Sequence, residues 1–127
     1  MNLLAIVIAA ASSFLVGGLW YSKALFGATW NAENGGQMKQ EGHPAKVFGI
    51  SFAFSLVAAM AFGVLVGAAP GLEVALRTGV LAGVGIAATS FGINYQFASR
   101  SFKLFLIDGG YHVLQFVLFG LVFGLIR

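Results

Sequence analysis

Four long runs of apolar residues divide the chain, and most of the polar positions lie between them. The runs cover about residues 2–21, 47–69, 72–97 and 102–126. Each run reaches the roughly 20 residues that an α-helix needs to cross a hydrocarbon layer about 30 Å thick. A backbone in lipid must satisfy its own hydrogen bonds, and no alternating segments of about 10 residues indicate a barrel. The pattern therefore predicts four transmembrane helices.

The connections between the runs differ in length, and this sets the predicted topology. Residues 22–46 form one long polar segment that contains the glycine-rich stretch NAENGGQMKQEGHPA, whereas the other two connections are short. Helices joined by short connections pack as antiparallel neighbours. We predict an all-α fold, an integral membrane, antiparallel up-down bundle of four helices with one polar loop between the first two. Residues 1–127 are expected to form a single domain.

Aromatic residues mark the boundary between the first run and the polar loop. Trp20 and Tyr21 end the run, and the following KALFGATW carries Leu25, Phe26 and Trp30. That apolar pattern is typical of a short amphipathic piece lying in the membrane interface. Because Trp and Tyr are enriched where a helix meets the headgroups, we expect Trp20, Tyr21 and Trp30 to be interface anchors.

Composition agrees with a lipid environment and excludes several function classes. Hydrophobic residues make up 59% of the chain and charged residues 9%, against about 45–50% and about 25% in soluble domains. The net charge of +3 comes from only seven Lys and Arg, which are too scattered for a nucleic-acid surface. The absence of cysteine excludes disulfides and thiolate metal ligands.

The first run lacks a basic leader, so we expect a retained helix and not a signal peptide.

The basic residues indicate an orientation for the four spans. Five lie on the side of the first and third connections and two on the other side, namely Lys23, Lys39, Lys46, Arg100 and Lys103 against Arg77 and Arg127. Because cytoplasmic loops carry the excess of Lys and Arg, the first side is predicted to be cytoplasmic. Both termini are then expected on the outer side.

Small residues recur at a spacing of four along the predicted spans. Lipid supplies no hydrophobic force between helices, so they associate by close backbone approach, which small residues allow. The predicted packing residues are Gly17, Ser55, Gly63, Gly67, Gly79, Gly83, Gly120 and Gly124. Packing within one bundle explains them, and the alternative is that one stripe faces another subunit. We expect a homo-oligomer in the lipid bilayer.

Polar side chains inside the fourth span form the candidate site. On a helix, Asp108, His112 and Gln115 share one face. The short third connection places Asn94 at the same membrane side, where we expect it to hydrogen-bond to Asp108 or His112, and Tyr111 lies at the same level. Tyr21 and Tyr95 can join them there. Because ionisable residues in a membrane indicate function by default, these are candidates for handling a ligand or a proton.

A structural interpretation of Asp108 competes with the functional one. Asp108 lies five residues after Lys103, which is about 7.5 Å along a helix and therefore near the headgroups. It can also serve as an N-cap, with the fourth helix beginning at Gly109, or as a tie between helices. His112 can likewise make a single tie. Two ligands are too few for a metal and His43 lies in the loop, so neither a metal nor a cofactor is expected.

Three segments of the sequence resemble a known family. They are MNLLAIVIAA, GGLWYSKALFGATW and INYQFASRSFKLFLIDGGYHVLQFVLFG. They are similar to the bacterial family called domain of unknown function 1761, whose members are small integral membrane proteins. The resemblance covers all four spans and implies a bacterial inner-membrane protein, with both termini periplasmic in the orientation above. It implies no activity, and Ser101 stands where we expect proline in relatives.

Two function classes remain. A small scaffold or accessory protein that acts through helix contacts, and is expected to be oligomeric, is favoured by the small residues. It is also favoured by the lack of a phosphate loop, an HExxH motif or a serine elbow, so the chain is not expected to be an enzyme. The alternative is a minimal oligomeric transporter or channel for a small solute or ion, with a polar site at Asp108, His112 and Asn94. An enzyme using Asp108 and His112 as an acid–base pair has no motif in its favour.

Overall fold

The computed structural model describes residues 2–36 and 43–126 of the chain. Those residues form five helices, which are α1 Leu3–Trp20, α2 Gly27–Glu33, α3 Pro44–Val66, α4 Leu72–Phe97 and α5 Phe102–Leu125. Four of them, α1, α3, α4 and α5, are long and apolar enough to cross a membrane. The prediction of an all-helical chain with four apolar spans is confirmed. Lys39 and Arg127, which entered the predicted orientation, lie outside the described residues.

Local chemistry sets where the helices begin and end. The side chains of Asn2 and Ser101 each accept a backbone hydrogen bond from the first turn of α1 and α5, at 3.1 and 3.0 Å. Gly67 ends α3 with φ at 79°, a conformation that costs little without a Cβ. Gly67 is exposed, and a Cβ there would meet nothing within 4 Å. Its predicted role in helix packing is therefore wrong, because it forms a turn.

Glycines bring α4 and α5 into backbone contact. A Cβ on Gly79 would lie 2.4 Å from the carbonyl oxygen of Phe116, and one on Gly120 would lie 2.5 Å from that of Ala75. Two further glycines have backbone atoms of the facing helix within 2.9 Å of an added Cβ, namely Gly83 and Gly124. Gly120 and Gly124 thus pack against α4 of the same chain and not against another subunit.

The middle of α4, Gly83–Ala88, is π-helical. A π turn holds more residues than an α turn, so the side chains that follow it are rotated from where a regular helix would place them. After this segment, Phe91 and Tyr95 face α5, and Asn94 is exposed. Asn94 therefore does not take the position expected for it beside Asp108 or His112, because helical periodicity carries no signal for this rotation.

The apolar core is formed by residues of α1, α3 and α5 together with Ala82 of α4. Phe62 is fully buried and its ring lies 5.7–6.2 Å from three others, those of Phe116, Phe119 and Phe123. The hydroxyls of Ser13 and Ser55 lie 3.2 Å apart and form a hydrogen bond between α1 and α3. Two predicted packing glycines adjoin aromatic rings of α5, Gly17 at Tyr111 and Gly63 at Phe123.

Candidate functional site

The carboxylate of Asp108 is the centre of a hydrogen-bonded cluster near the start of α5. Its Oδ1 accepts from the Tyr21 hydroxyl at 2.5 Å and from the Trp30 indole N–H at 3.1 Å. Its Oδ2 accepts from the Tyr95 hydroxyl. The side chain is buried, with 8% of its surface exposed. We call Asp108 and these three donors the aspartate clasp.

The clasp joins four parts of the chain through neutral donors. Tyr21 follows α1, Trp30 lies in α2, Tyr95 in α4 and Asp108 in α5. Burying a carboxylate is costly unless its oxygens are hydrogen-bonded, and bonds to a charged group are each worth about 1.5–3 kcal/mol. Three donors therefore offset much of the desolvation of Asp108. The same bonds hold four separate segments together.

Asp108 does not cap α5. The helix begins at Phe102 and Ser101 is its N-cap, so six helical residues precede Asp108. The alternative prediction that the helix begins at Gly109 is wrong. Side-chain donors from other segments, and not the free N–H groups of a helix end, account for the placement of the carboxylate.

A tight fold-back after α1 brings Trp30 to Asp108. The Gly27 N–H donates to the Ser22 carbonyl at 2.9 Å. A Cβ at Gly27 would lie only 2.3 Å from the Tyr21 carbonyl oxygen, so the turn has no room for a larger residue. The turn directs α2 back across the start of α5, where Trp30 reaches the carboxylate.

The three residues predicted to be interface anchors direct their polar atoms into the protein. Trp20 donates its indole N–H to the Ile107 carbonyl at 2.9 Å, while Tyr21 and Trp30 donate to Asp108. Tyr21 lies just beyond the first apolar span, and its burial, followed by its bond to Asp108, raises its pKa above the ordinary value. The phenol thus stays protonated and acts as a donor.

His112 and Gln115 form a separate pair, deeper along α5. The His112 Nδ1 lies 2.6 Å from the Gln115 amide oxygen. The imidazole also stacks on Phe91, with ring centroids 5.0 Å apart and planes 17° apart. With the amide oxygen as acceptor, Nδ1 carries the proton. His112 and Gln115 lie on one face of α5, as predicted, but His112 has no direct hydrogen bond to Asp108 among the residues that the structure describes.

Two other candidate residues lie outside the clasp. Tyr111 donates its hydroxyl to the Ser13 carbonyl at 2.8 Å and so joins α5 to α1. Asn94 is exposed, and within residues 2–36 and 43–126 its side chain bonds to neither Asp108 nor His112. The sequence indicated Tyr21 and Tyr95 as neighbours at the level of Asp108 and missed the indole of Trp30. The available signal was a set of aromatic donors at one membrane level.

Nearly the whole chain matches a known protein family. The family model described as "Protein of unknown function (DUF1761)" matches residues 4–124. The chain belongs to the DUF1761 family. This confirms the resemblance seen in the sequence, and the matched range includes all four residues of the clasp. No curated protein and no solved structure matches this DUF1761 chain.

The polar connections of this DUF1761 protein meet beside the clasp. The Arg100 guanidinium, between α4 and α5, donates to the Asn34 side-chain oxygen just after α2. Across the described ranges, no group of three or more His, Asp or Glu side chains is placed to hold a metal ion. In the same ranges, no buried side-chain nitrogen or oxygen lacks a hydrogen-bond partner.

Two open grooves occur on the described surface of the DUF1761 chain, and neither is lined by Asp108 or His112. One, of about 500 Å³, lies at the α3–α4 turn and includes Gly67 and Phe123. The other, of about 420 Å³, lies between α2 and α5 and includes Trp20 and Lys103. The clasp itself is packed, and the second groove runs beside it.

Proposed function

We propose that this chain is a scaffold or accessory protein of a bacterial inner membrane, with four spanning helices and no catalytic activity of its own. Its four long apolar helices support the membrane location. The contacts Ala75–Gly120 and Gly79–Phe116 run in opposite order along α4 and α5, which supports an antiparallel bundle.

The proposed orientation places the clasp end in the cytoplasm and both termini in the periplasm. The contact of Arg100 with Asn34 brings the first and third connections to one end of the molecule. Lys23, Lys46 and Lys103 lie in or next to those connections. An excess of basic residues on that side favours a cytoplasmic location.

The observation that carries the functional proposal is the hydrogen bonding of both carboxylate oxygens of Asp108. A carboxylate that passes protons or ions exchanges its partners with water or with the transported species. Here the partners are fixed aromatic donors from three other segments. The carboxylate therefore serves to hold α2 and the ends of α1 and α4 on α5, which gives the cytoplasmic face a defined shape for helix contacts.

Asp108→Asn tests this proposal. A structural clasp predicts a lower unfolding temperature in detergent and faster proteolysis between α1 and α3, because the charge-assisted hydrogen bonds become neutral ones. Glu73→Gln is the matched control, since Glu73 is 84% exposed in its ion pair with Arg77 and exposed pairs contribute little. Loss of proton or solute flux in liposomes, with unchanged stability, would instead favour the transporter.

We also propose a homo-oligomer that forms through the outward face of α4. The exposed residues of this part of α4 include Gly85, Thr89 and Ser90, beside the larger Val84 and Ile86. Small and hydroxyl residues let helices in lipid approach closely. A second copy of the chain brings the same glycine and hydroxyls to the contact, which makes the face self-complementary about a two-fold axis.

A further inference from the structure

The groove between α2 and α5 has an apolar lining and a polar edge. Its volume is about 420 Å³, and it is lined by Trp20, Phe26, Thr29, Lys103, Leu106 and Ile107. The Trp20 N–H already donates to the Ile107 carbonyl, so the indole offers the groove its apolar surface. Phe26 and Leu106 are exposed by 37% and 55%. This much apolar surface beside α2 is suited to a hydrocarbon chain.

The polar edge has donors that the protein does not use. Among the described residues, neither the Thr29 hydroxyl nor the Lys103 ammonium has a hydrogen-bond or ion-pair partner. A lysine and a hydroxyl that line the same groove offer a positive charge and a donor, which together complement a phosphate oxygen. The groove thus combines a hydrocarbon surface with an anion-binding edge.

We propose that this groove binds one anionic phospholipid of the surrounding bilayer. Its acyl chain lies against Trp20, Phe26 and Leu106, and its phosphate lies at Lys103 and Thr29. Lys103 is the second residue of α5, so with α5 crossing the bilayer it lies at headgroup depth. Anionic headgroups attract basic residues at that depth. The proposal requires a membrane location but not the scaffold role.

A second copy of the chain fits the edge less well. The chain has only four Asp and Glu. Asp108 is buried in the clasp and Glu73 is paired with Arg77. Apart from Glu33 and Glu41, a partner copy therefore offers no side-chain carboxylate to Lys103, whereas anionic lipids supply negative charge across the bilayer surface.

The aspartate clasp preforms the site. Trp30 of α2 bonds to Asp108, and Asn34 after α2 bonds to Arg100. These contacts fix α2 against α5 and keep the groove between them open. A preformed groove spares the lipid the cost of ordering the protein on binding.

Tryptophan quenching by brominated lipids tests the proposal. The chain has two tryptophans, and Trp20 lines the groove. The full chain is placed in phosphatidylcholine vesicles that contain either acyl-brominated phosphatidylglycerol or acyl-brominated phosphatidylcholine. We expect half-maximal quenching at about fivefold lower mole fraction of the anionic lipid, since one lysine near such a surface contributes about 1 kcal/mol.

Charge variants locate the preference. Lys103→Gln should reduce the anionic preference to near unity, while Lys23→Gln should leave it in place. Lys23 is an exposed lysine of the same membrane side that does not line the groove. Equal quenching by the two lipids in the wild type, or equal effects of the two variants, would overturn the proposal. Quenching without a preference for the anionic lipid would contradict the lipid site but still support the membrane location. Failure of the lipid proposal is thus distinguishable from failure of the membrane proposal.

Inorganic phosphate distinguishes the lipid from a free anion. Phosphate is exchanged for chloride at constant ionic strength. If the preference for brominated phosphatidylglycerol persists, the site recognises the lipid. If phosphate abolishes it, the edge binds the free anion and the lipid assignment is overturned.

Discussion

The Tyr95 hydroxyl donates to the Asp108 carboxylate, whereas the neighbouring Asn94 side chain is exposed. The π-helical segment Gly83–Ala88 decides between them. Gly79 and Gly83 contact α5 before or at the start of that segment, and Ala88, the last residue of the segment, adjoins Gly109. Successive contacts with α5 at Gly83 and Ala88 are thus five residues apart, where a regular α-helix would space them by three or four. The extra residue in this turn rotates the rest of α4 so that Tyr95 faces the carboxylate.

Deletion of Gly85 tests this register. Removing one residue from the π segment converts it to α-helix and leaves both flanking faces where they are, so we expect an unfolding temperature close to that of the wild type. Gly85 suits this deletion because a Cβ there would meet nothing within 4 Å. Deletion of Ile93 is the control, since it turns Tyr95 by about 100° away from Asp108. If both deletions lower the unfolding temperature equally, the register argument fails.

Alkaline pH should weaken the fold through Tyr21. Its pKa is raised in the folded protein above the ordinary value of 10.0. Above pH 10 the unfolded chain loses this proton while the folded chain keeps it, so stability falls as pH rises. Thermal unfolding of wild type and Tyr21→Phe between pH 8 and about pH 11 measures this. The phenylalanine variant should start less stable and fall less steeply, and parallel curves would contradict the prediction.

Glycine-to-alanine substitutions should separate packed glycines from exposed ones. Gly120→Ala places a Cβ 2.5 Å from the Ala75 carbonyl oxygen, so α4 and α5 must move apart and the protein should lose about 1–3 kcal/mol of stability. Gly18→Ala meets nothing within 4 Å and should be neutral or stabilising, because alanine favours a helix. Denaturation in one detergent compares the two. Equal stabilities would contradict the close contact.

Cysteine crosslinking should reveal the proposed oligomer face. The chain has no native cysteine, so each variant reports on one position. Gly85→Cys on the outward face of α4 should form a disulfide-linked dimer in membranes under mild oxidation. Val57→Cys, which lies near the middle of α3 and is 56% exposed, should not. Equal crosslinking at both positions would indicate random collision and would remove support for the α4 face.

The candidate site was partly predictable. Asp108, Gln115 and His112 were expected on one face of the fourth span, and all three point into the protein or are half-buried. Tyr21 and Tyr95 were named as neighbours at that level, but the bond from Trp30 was not predicted, because Trp30 lies 78 residues from Asp108 along the chain. No local pattern specifies which of several aromatic donors reaches a given carboxylate.

The sequence by itself determined the four apolar helices, because a backbone in lipid must pair its own N–H and C=O groups within each span. Two helix starts also depend on local chemistry, since the side chains of Asn2 and Ser101 accept hydrogen bonds from the first turn that follows them. Only the tertiary structure decided that α2 folds back onto α5 and that Tyr95 replaces Asn94 at the carboxylate. Both outcomes depend on side chains of separate segments meeting in space. One extra residue in a π turn rotates everything beyond it, and helical periodicity carries no signal for that rotation.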